Sequence, residues 1–176
     1  MKKWKLEGSG ELDRSKIRKI GEDVIIEDGV RIFHPENLEI GNNVYIGHDT
    51  ILRGYHKGYI VIGNNTWVGQ MCFFHTGGGI HIGNNVGIGP GVKMFAAQHM
   101  EIDDNVPMSF APLKLQPITI EDNANIGIGA VIMGGITISR GMTVGTNAVV
   151  TKNFPPNSVV AGVPARLLRM RNQKNR

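Results

Sequence analysis

Ile40-Gly41-Asn42-Asn43-Val44-Tyr45-Ile46-Gly47-His48-Asp49-Thr50-Ile51 is two turns of a six-residue beat, and that beat decides the fold. Each hexad runs aliphatic, usually Gly or an acid, two polar residues, a small or β-branched residue, then any residue. The same beat begins at Ile62, Val68, Ile82 and Ile88, and again at Ile120, Ile126, Ile132, Ile138, Val144 and Val150. Two of every six positions are apolar and face inward, while Asn and Gly at the corners tolerate the left-handed backbone that a sharp bend requires. Three such units, about 18 residues, close one triangular coil, and stacked coils bury what no single coil could bury alone: a parallel β-helix.

The Ile-Gly-Asn-Asn signature recurs at Ile40, Ile62 and Ile82, 22 and 20 residues apart, so each of these coils carries a small corner insertion. From Ile82 to Ile120 the spacing jumps to 38. Once one coil is subtracted, about 20 residues, roughly 95–117, leave the solenoid as a protruding loop, and long structureless loops are often functional. His99 stands at its exit from the coil.

The composition fits one soluble domain of about seven coils, because 24 glycines spread at the beat mark corners rather than disorder. The expected layout is an N-terminal extension at 1–19, the β-helix at 20–164, and a basic C-terminal helix or tail at 165–176. No signal-peptide core opens the chain and no run reaches the length of a membrane span, so the expected location is cytoplasmic without stable membrane insertion. The net charge of +4 and pI near 9.3 come from residues clustered at the two ends, Lys2, Lys3, Lys5, Arg14, Lys16, Arg18 and Lys19 at one and Arg166, Arg169, Arg171, Lys174 and Arg176 at the other. Aromatic residues are not interleaved with them, which argues against nucleic acid. The single cysteine, Cys72, falls on a small inward position and reads as a structural thiol.

The repeats, the loop opening with Gln98-His99-Met100, and the stretch Val150 to Arg169 with its Gly162-Val163-Pro164-Ala165-Arg166 core resemble the left-handed β-helix acyltransferases. The likeness is to the galactoside/maltose O-acetyltransferases and the sugar O-acetyltransferases of capsule and lipopolysaccharide clusters, over about residues 20 to 170. It implies an all-β, left-handed parallel β-helix with one protruding loop and a short C-terminal helix. It also implies an acetyl-CoA-dependent enzyme acting on a sugar or polysaccharide precursor in surface-polysaccharide biosynthesis, assembled as a homotrimer with active sites between subunits. By position His99 is then the general base, with loop amides stabilising the oxyanion and no covalent acyl-enzyme. A neutral imidazole suits that task, and positioned bases contribute roughly 10²–10⁴-fold. Corners near Ile128 and Thr146 correspond to the pantetheine groove, Thr151-Lys152 to the adenine end, and Arg166 and Arg169 to the phosphates.

The same likeness leaves the acceptor open. The acidic residue that holds the sugar in the galactoside/maltose group would fall near Gly77, and the Val-Trp after the post-loop signature is Ala124-Asn125 here. His75 is a candidate to border the substrate, and Glu101, Asp103 and Asp104 are candidates to grip it or orient the imidazole. His75 and His81 should lie on different faces, no H-x4-H pair is present, and no metal is expected. Rival readings are N-acetylation of a nucleotide-linked amino sugar and O-acetylation of an antibiotic. Serine acetylation lacks its Arg-His-Pro stretch, and an ice-binding scaffold lacks ranked outward threonines.

Overall fold

Inward-pointing isoleucines one coil apart sit directly above one another, and that stacking is the whole architecture. A computed structural model describes residues 8–54, 58–103, 105 and 107–171. Short strands lie on three faces and each pairs in parallel with its equivalent in the next coil. The first face is built from Lys19–Ile20, Leu38–Ile40, Ile60–Ile62, Ile80–Ile82, Ile118–Ile120 and Thr137–Ile138. The second holds Ile25–Ile26, Tyr45–Ile46, Trp67–Val68, Gly87–Ile88, Asn125–Ile126, Thr143–Val144 and Ser158–Ala161. The third holds Arg31–Phe33, Ile51–Arg53, Phe73–His75, Lys93–Phe95, Val131–Met133 and Val149–Val150. The result is a left-handed β-helix of about seven coils.

Register is strict along each face. Ile80 pairs with Ile60 and Ile118, and Ile88 with Val68 and Ile126, so one residue of every hexad builds one column of the core. Ile62, Ile82, Ile120, Phe74, Met94 and Ile132 are essentially inaccessible to solvent. The first corner is held by a polar column in which the side-chain oxygens of Asn42, Asn64, Asn84 and Asp122 each accept from the backbone N–H of the preceding coil, at 2.8–2.9 Å. The adjoining Asn43, Asn65, Asn85 and Asn123 have positive φ, as their place in the hexad requires. Cys72 lies in the second-corner column between Thr50 and Val92; burial pushes its thiol up to about 11, so it stays protonated and is no nucleophile.

The uneven spacing has one location. Every excess residue leaves at the third corner, where the chain passes from the third face of one coil to the first face of the next. The short 3₁₀ turn Pro35–Asn37 lies there, as do Gly54, Gly58, Tyr59, residues 76–79 and the long excursion. Phe95 still belongs to the coil, and the excursion begins at buried Ala96 and is not structureless. Ala97–His99 and Leu113–Leu115 form an antiparallel ribbon, with His99 opposite Leu113, tipped by the 3₁₀ turn Met108–Phe110. The ribbon rests on the corner below it: a Cβ on Gly78 would stand 2.5 Å from the Gln116 nitrogen, and one on Gly77 would stand 2.6 Å from the Ala97 Cβ. Gly77 and Gly78 are glycine because the ribbon needs that space, and Gly79 because its φ is positive.

The C-terminal helix expected over 165–176 does not form. Arg166–Met170 is a strand that turns back antiparallel on Ser158–Ala161 and closes the end of the second face. The exposed backbone edge of the last coil needs hydrogen-bond partners, and a returning strand supplies them where a helix would not. Residues 172–176, and with them Lys174 and Arg176, lie outside the described residues, as do Lys2, Lys3, Lys5 and Asp104. Among the described residues no helix is long and apolar enough to cross a membrane.

Candidate active site

His99 owes its setting to the ribbon. Its Nδ1 lies 2.9 Å from the carbonyl oxygen of Ala111 on the returning arm. A carbonyl can only accept, so the Nδ1–H donates and the neutral ring carries its lone pair on Nε2. That nitrogen is therefore the one able to take a proton. The side chain is accessible at the coil's edge, as a base acting on an incoming substrate requires.

Glu101 and Asp103, two of the acidic residues considered as its orienting partners, do not take that part. Asp103 accepts from both the backbone N–H and the side-chain amide of Asn105, at 2.9 and 2.8 Å, and the first of these bonds chiefly holds its carboxyl below the usual range. Glu101 is exposed, and the imidazole nitrogen nearest a partner is bonded to the main chain instead. The orienting group is a carbonyl, for which a sequence has no letter. His75 lies at the foot of the ribbon on the third face, its ring 6.5 Å from that of Phe95 and 6.4 Å from that of Phe73. His81 faces outward on the first face, so the two histidines diverge. No cluster able to hold a metal ion is present among the described residues.

A groove of about 350 Å³ runs parallel to the solenoid axis over the second face and second corner, from Trp67 past Gly87, Pro90 and Asn125 to Ile128 and Thr146. Its floor is close-packed main chain: a Cβ on Gly89 would meet the Ile128 nitrogen at 2.7 Å, and one on Gly127 the Thr146 nitrogen at 2.6 Å. Beyond Thr146 the corner continues to Ala161, which is paired with Arg166 on the returning strand, while Arg169 pairs with Val159. Ile128, Thr146 and Arg166 are thus aligned along one edge of the molecule, with Arg169 further along the same returning strand. Arg166 donates to the carbonyls of Ala165 and Pro164 at 3.0 and 3.4 Å, and Arg169 donates to that of Met170.

Thr151 and Lys152 stand elsewhere, past Val149–Val150 on the third corner, with the Lys152 ammonium 5.5 Å from the Phe154 ring centre. They share that corner with the His99 ribbon. The sequence-derived residues therefore divide into two groups on different edges: His99, Thr151 and Lys152 at the third corner, and Ile128, Thr146 and Arg166 at the second. Within one chain His99 and the groove stand on different corners.

Comparison with known proteins adds the class. The model of the hexapeptide repeat of succinyl-transferase matches residues 59–93 and 117–152, the coils on either side of the ribbon. The hexapeptide-repeat acetyltransferase VCA0836 of Vibrio cholerae is similar at 26% identity over 91% of this chain and 77% of its own, with a TM-score of 0.68. A second structure of that protein, with acetyl coenzyme A, is similar at 25% identity and TM-score 0.67, over 91% and 74% of the two chains. AntD, an N-acyltransferase from Bacillus cereus, in complex with dTDP and 3-hydroxybutyryl-CoA, shares the fold at TM-score 0.80 and 22% identity, over 90% of this chain and 86% of that one. The chain carries the hexapeptide repeat that this family model describes, and it shares the left-handed β-helix fold of these acyltransferases.

Proposed function

We infer that the protein transfers an acetyl group from acetyl-CoA to a sugar hydroxyl, in the building of a surface polysaccharide, with His99 as general base. The observation that carries this reading is the bond from His99 Nδ1 to the Ala111 carbonyl, which leaves Nε2 free to accept a proton at an accessible site. The acceptor hydroxyl gives its proton to Nε2 as its oxygen bonds to the acyl carbon. The C–S bond then breaks, and the imidazolium returns the proton to the departing thiolate. A direct transfer of this kind uses no covalent enzyme intermediate, in keeping with a lone cysteine that is buried and protonated.

The groove fits an extended thioester arm in shape and charge. It is parallel to the axis and floored by main chain, and two arginines lie beyond its Thr146 end, where charge-assisted bonds to phosphate would form. Because His99 stands on a different edge, the reading requires a second copy, with the ribbon of one subunit reaching the groove of the next in a homotrimer. Exposed Met100, Met108, Phe110, Leu113 and Leu115 on the ribbon favour that arrangement, since they are uncovered in a single chain. Thr151 and Lys152, on the same edge as His99, would then approach the nucleotide end from the neighbouring subunit.

The test is CoA binding by calorimetry. Replacing Arg166 and Arg169 together by alanine should weaken CoA by about tenfold or more, since each lost charge-assisted bond is worth roughly 1.5–3 kcal/mol. Unchanged affinity would remove both from the phosphate role. A second reading, acyl transfer to the amino group of a nucleotide-linked sugar, follows from the fold shared with AntD, a mutant of which was solved with dTDP-4-amino-4,6-dideoxyglucose and coenzyme A. Product stable to mild alkali would favour that amide over the ester.

A further inference from the structure

The second face carries an outward column of Ile25, Tyr45 and Trp67, and the column stops abruptly at Gly87. Tyr45 and Trp67 are stacked, ring centres 5.9 Å apart and planes within 6°. One face of the indole is therefore covered by Tyr45, and the other looks toward the next coil, where Gly87 supplies no side chain. Trp67 remains 41% exposed and lines the end of the groove remote from the arginines, as Gly87 does. Asn125, one coil further on, reaches back into this space, since a Cβ on Gly87 would stand 2.7 Å from its Oδ1, so whatever enters there meets that amide.

Charge gives the groove a direction. If phosphates bind beside Arg166, the thioester lies toward Trp67, and what stands against the indole at that end is the second substrate. We propose that the vacancy over Gly87 is the acceptor subsite, in which a hexopyranose packs its C–H face on the free face of Trp67 while the Asn125 amide bonds to a ring hydroxyl. An indole wall with one convergent polar group suits an amphipathic ring of this kind. This rests on the acyltransferase reading above and adds to it the position and chemistry of the acceptor.

The geometry supplies foldable variants. The added Cβ of Gly87→Ala meets only the far end of the flexible Asn125 side chain, and Gly87 carries no positive φ. Acceptor kinetics would be measured on methyl hexopyranosides and nucleotide-linked sugars for Gly87→Ala, Gly87→Val, Trp67→Ala and Trp67→Phe. Trp67→Ala and Gly87→Val should raise the acceptor KM by about tenfold or more, well beyond any change in the acetyl-CoA KM, with Trp67→Phe retaining most of the function. In a Trp4→Phe background, Trp67 emission should respond to any sugar that is turned over.

Turnover with the acceptor KM unchanged in both Trp67→Ala and Gly87→Val would overturn the subsite while leaving the acyltransferase reading intact. Loss of the assembly in Trp67→Ala, seen by size exclusion, would instead make this face a subunit contact and overturn it as well. If wild-type protein binds no CoA and releases none with any sugar, both readings fall together.

Discussion

His99→Ala is expected to lower kcat by about 10²–10⁴-fold while CoA affinity stays within about twofold of wild type. The reasoning is local. The Ala111 carbonyl fixes the imidazole as the Nδ1–H tautomer, so the nitrogen facing outward is the basic one. Alanine removes that nitrogen and leaves the ribbon intact, because the ribbon is held by main-chain pairing of Ala97–His99 with Leu113–Leu115 and by the bond from the Gln116 N–H to the Ala96 carbonyl. His99→Asn tests the geometry separately: its amide can still donate to Ala111 but offers no basic nitrogen, and it should be as inactive as alanine. A fall of less than about tenfold in both variants would assign the proton transfer to another group.

Phe74→Ala is expected to be the most damaging single truncation of the core, costing about 3–5 kcal/mol. Phe74 is fully buried, paired in register with Leu52 below and Met94 above, so its loss opens a void in a column that continues through Ile132. Neighbouring coils cannot collapse into the void without breaking parallel pairing on all three faces. Phe73, one residue earlier, points to the opposite side of the same strand and packs on Phe95 at 5.8 Å, half-buried. Phe73→Ala should cost much less in the isolated chain. Urea unfolding of both variants, compared at constant slope, measures the difference. Equal losses would mean that the inward column is not what holds the coils.

Much of this was legible in the chain itself because a solenoid has almost no long-range ambiguity: each hexad pairs with its copy one coil away. Inward Ile62, Ile82 and Ile120, the positive-φ Asn65 and Asn85, and the departure of the chain near Phe95 all follow from spacing. What escaped was whatever depends on main-chain groups. Ala111 orients His99 through its carbonyl, which any residue would supply. By pattern alone the tail, with Leu167, Leu168 and Met170 among arginines, fits a short helix. Its conformation is instead set by the unpaired edge at Ser158–Ala161, where Ser158 pairs with Met170 and Ala161 with Arg166. Thr146 and Lys152 hold the same place in successive hexads, so the beat itself puts one on the second corner and the other on the third; only the family resemblance grouped them along one cofactor path.

That division gives the proposed site its most demanding property, since His99 on one edge and a groove on another can act together only across subunits. Gly77 and Gly78 seat the ribbon, Gly89 and Gly127 floor the groove, and both features are products of the same hexad packing. On the reading proposed above, a fold built for regularity makes its chemistry where the regularity is broken, at the excursion that carries His99 and at Gly87.

The most direct measurement is the fate of the acetyl group. Purified protein would be incubated with acetyl-CoA labelled in the acetyl carbon and a panel of hexopyranosides and nucleotide-linked sugars, with CoA release and labelled product followed together. Label should appear on a sugar in a linkage cleaved by mild alkali, in step with CoA release, and His99→Ala should abolish both. Absence of CoA binding, together with label that never leaves the thioester in the presence of any sugar, would refute the transfer and leave only the β-helix.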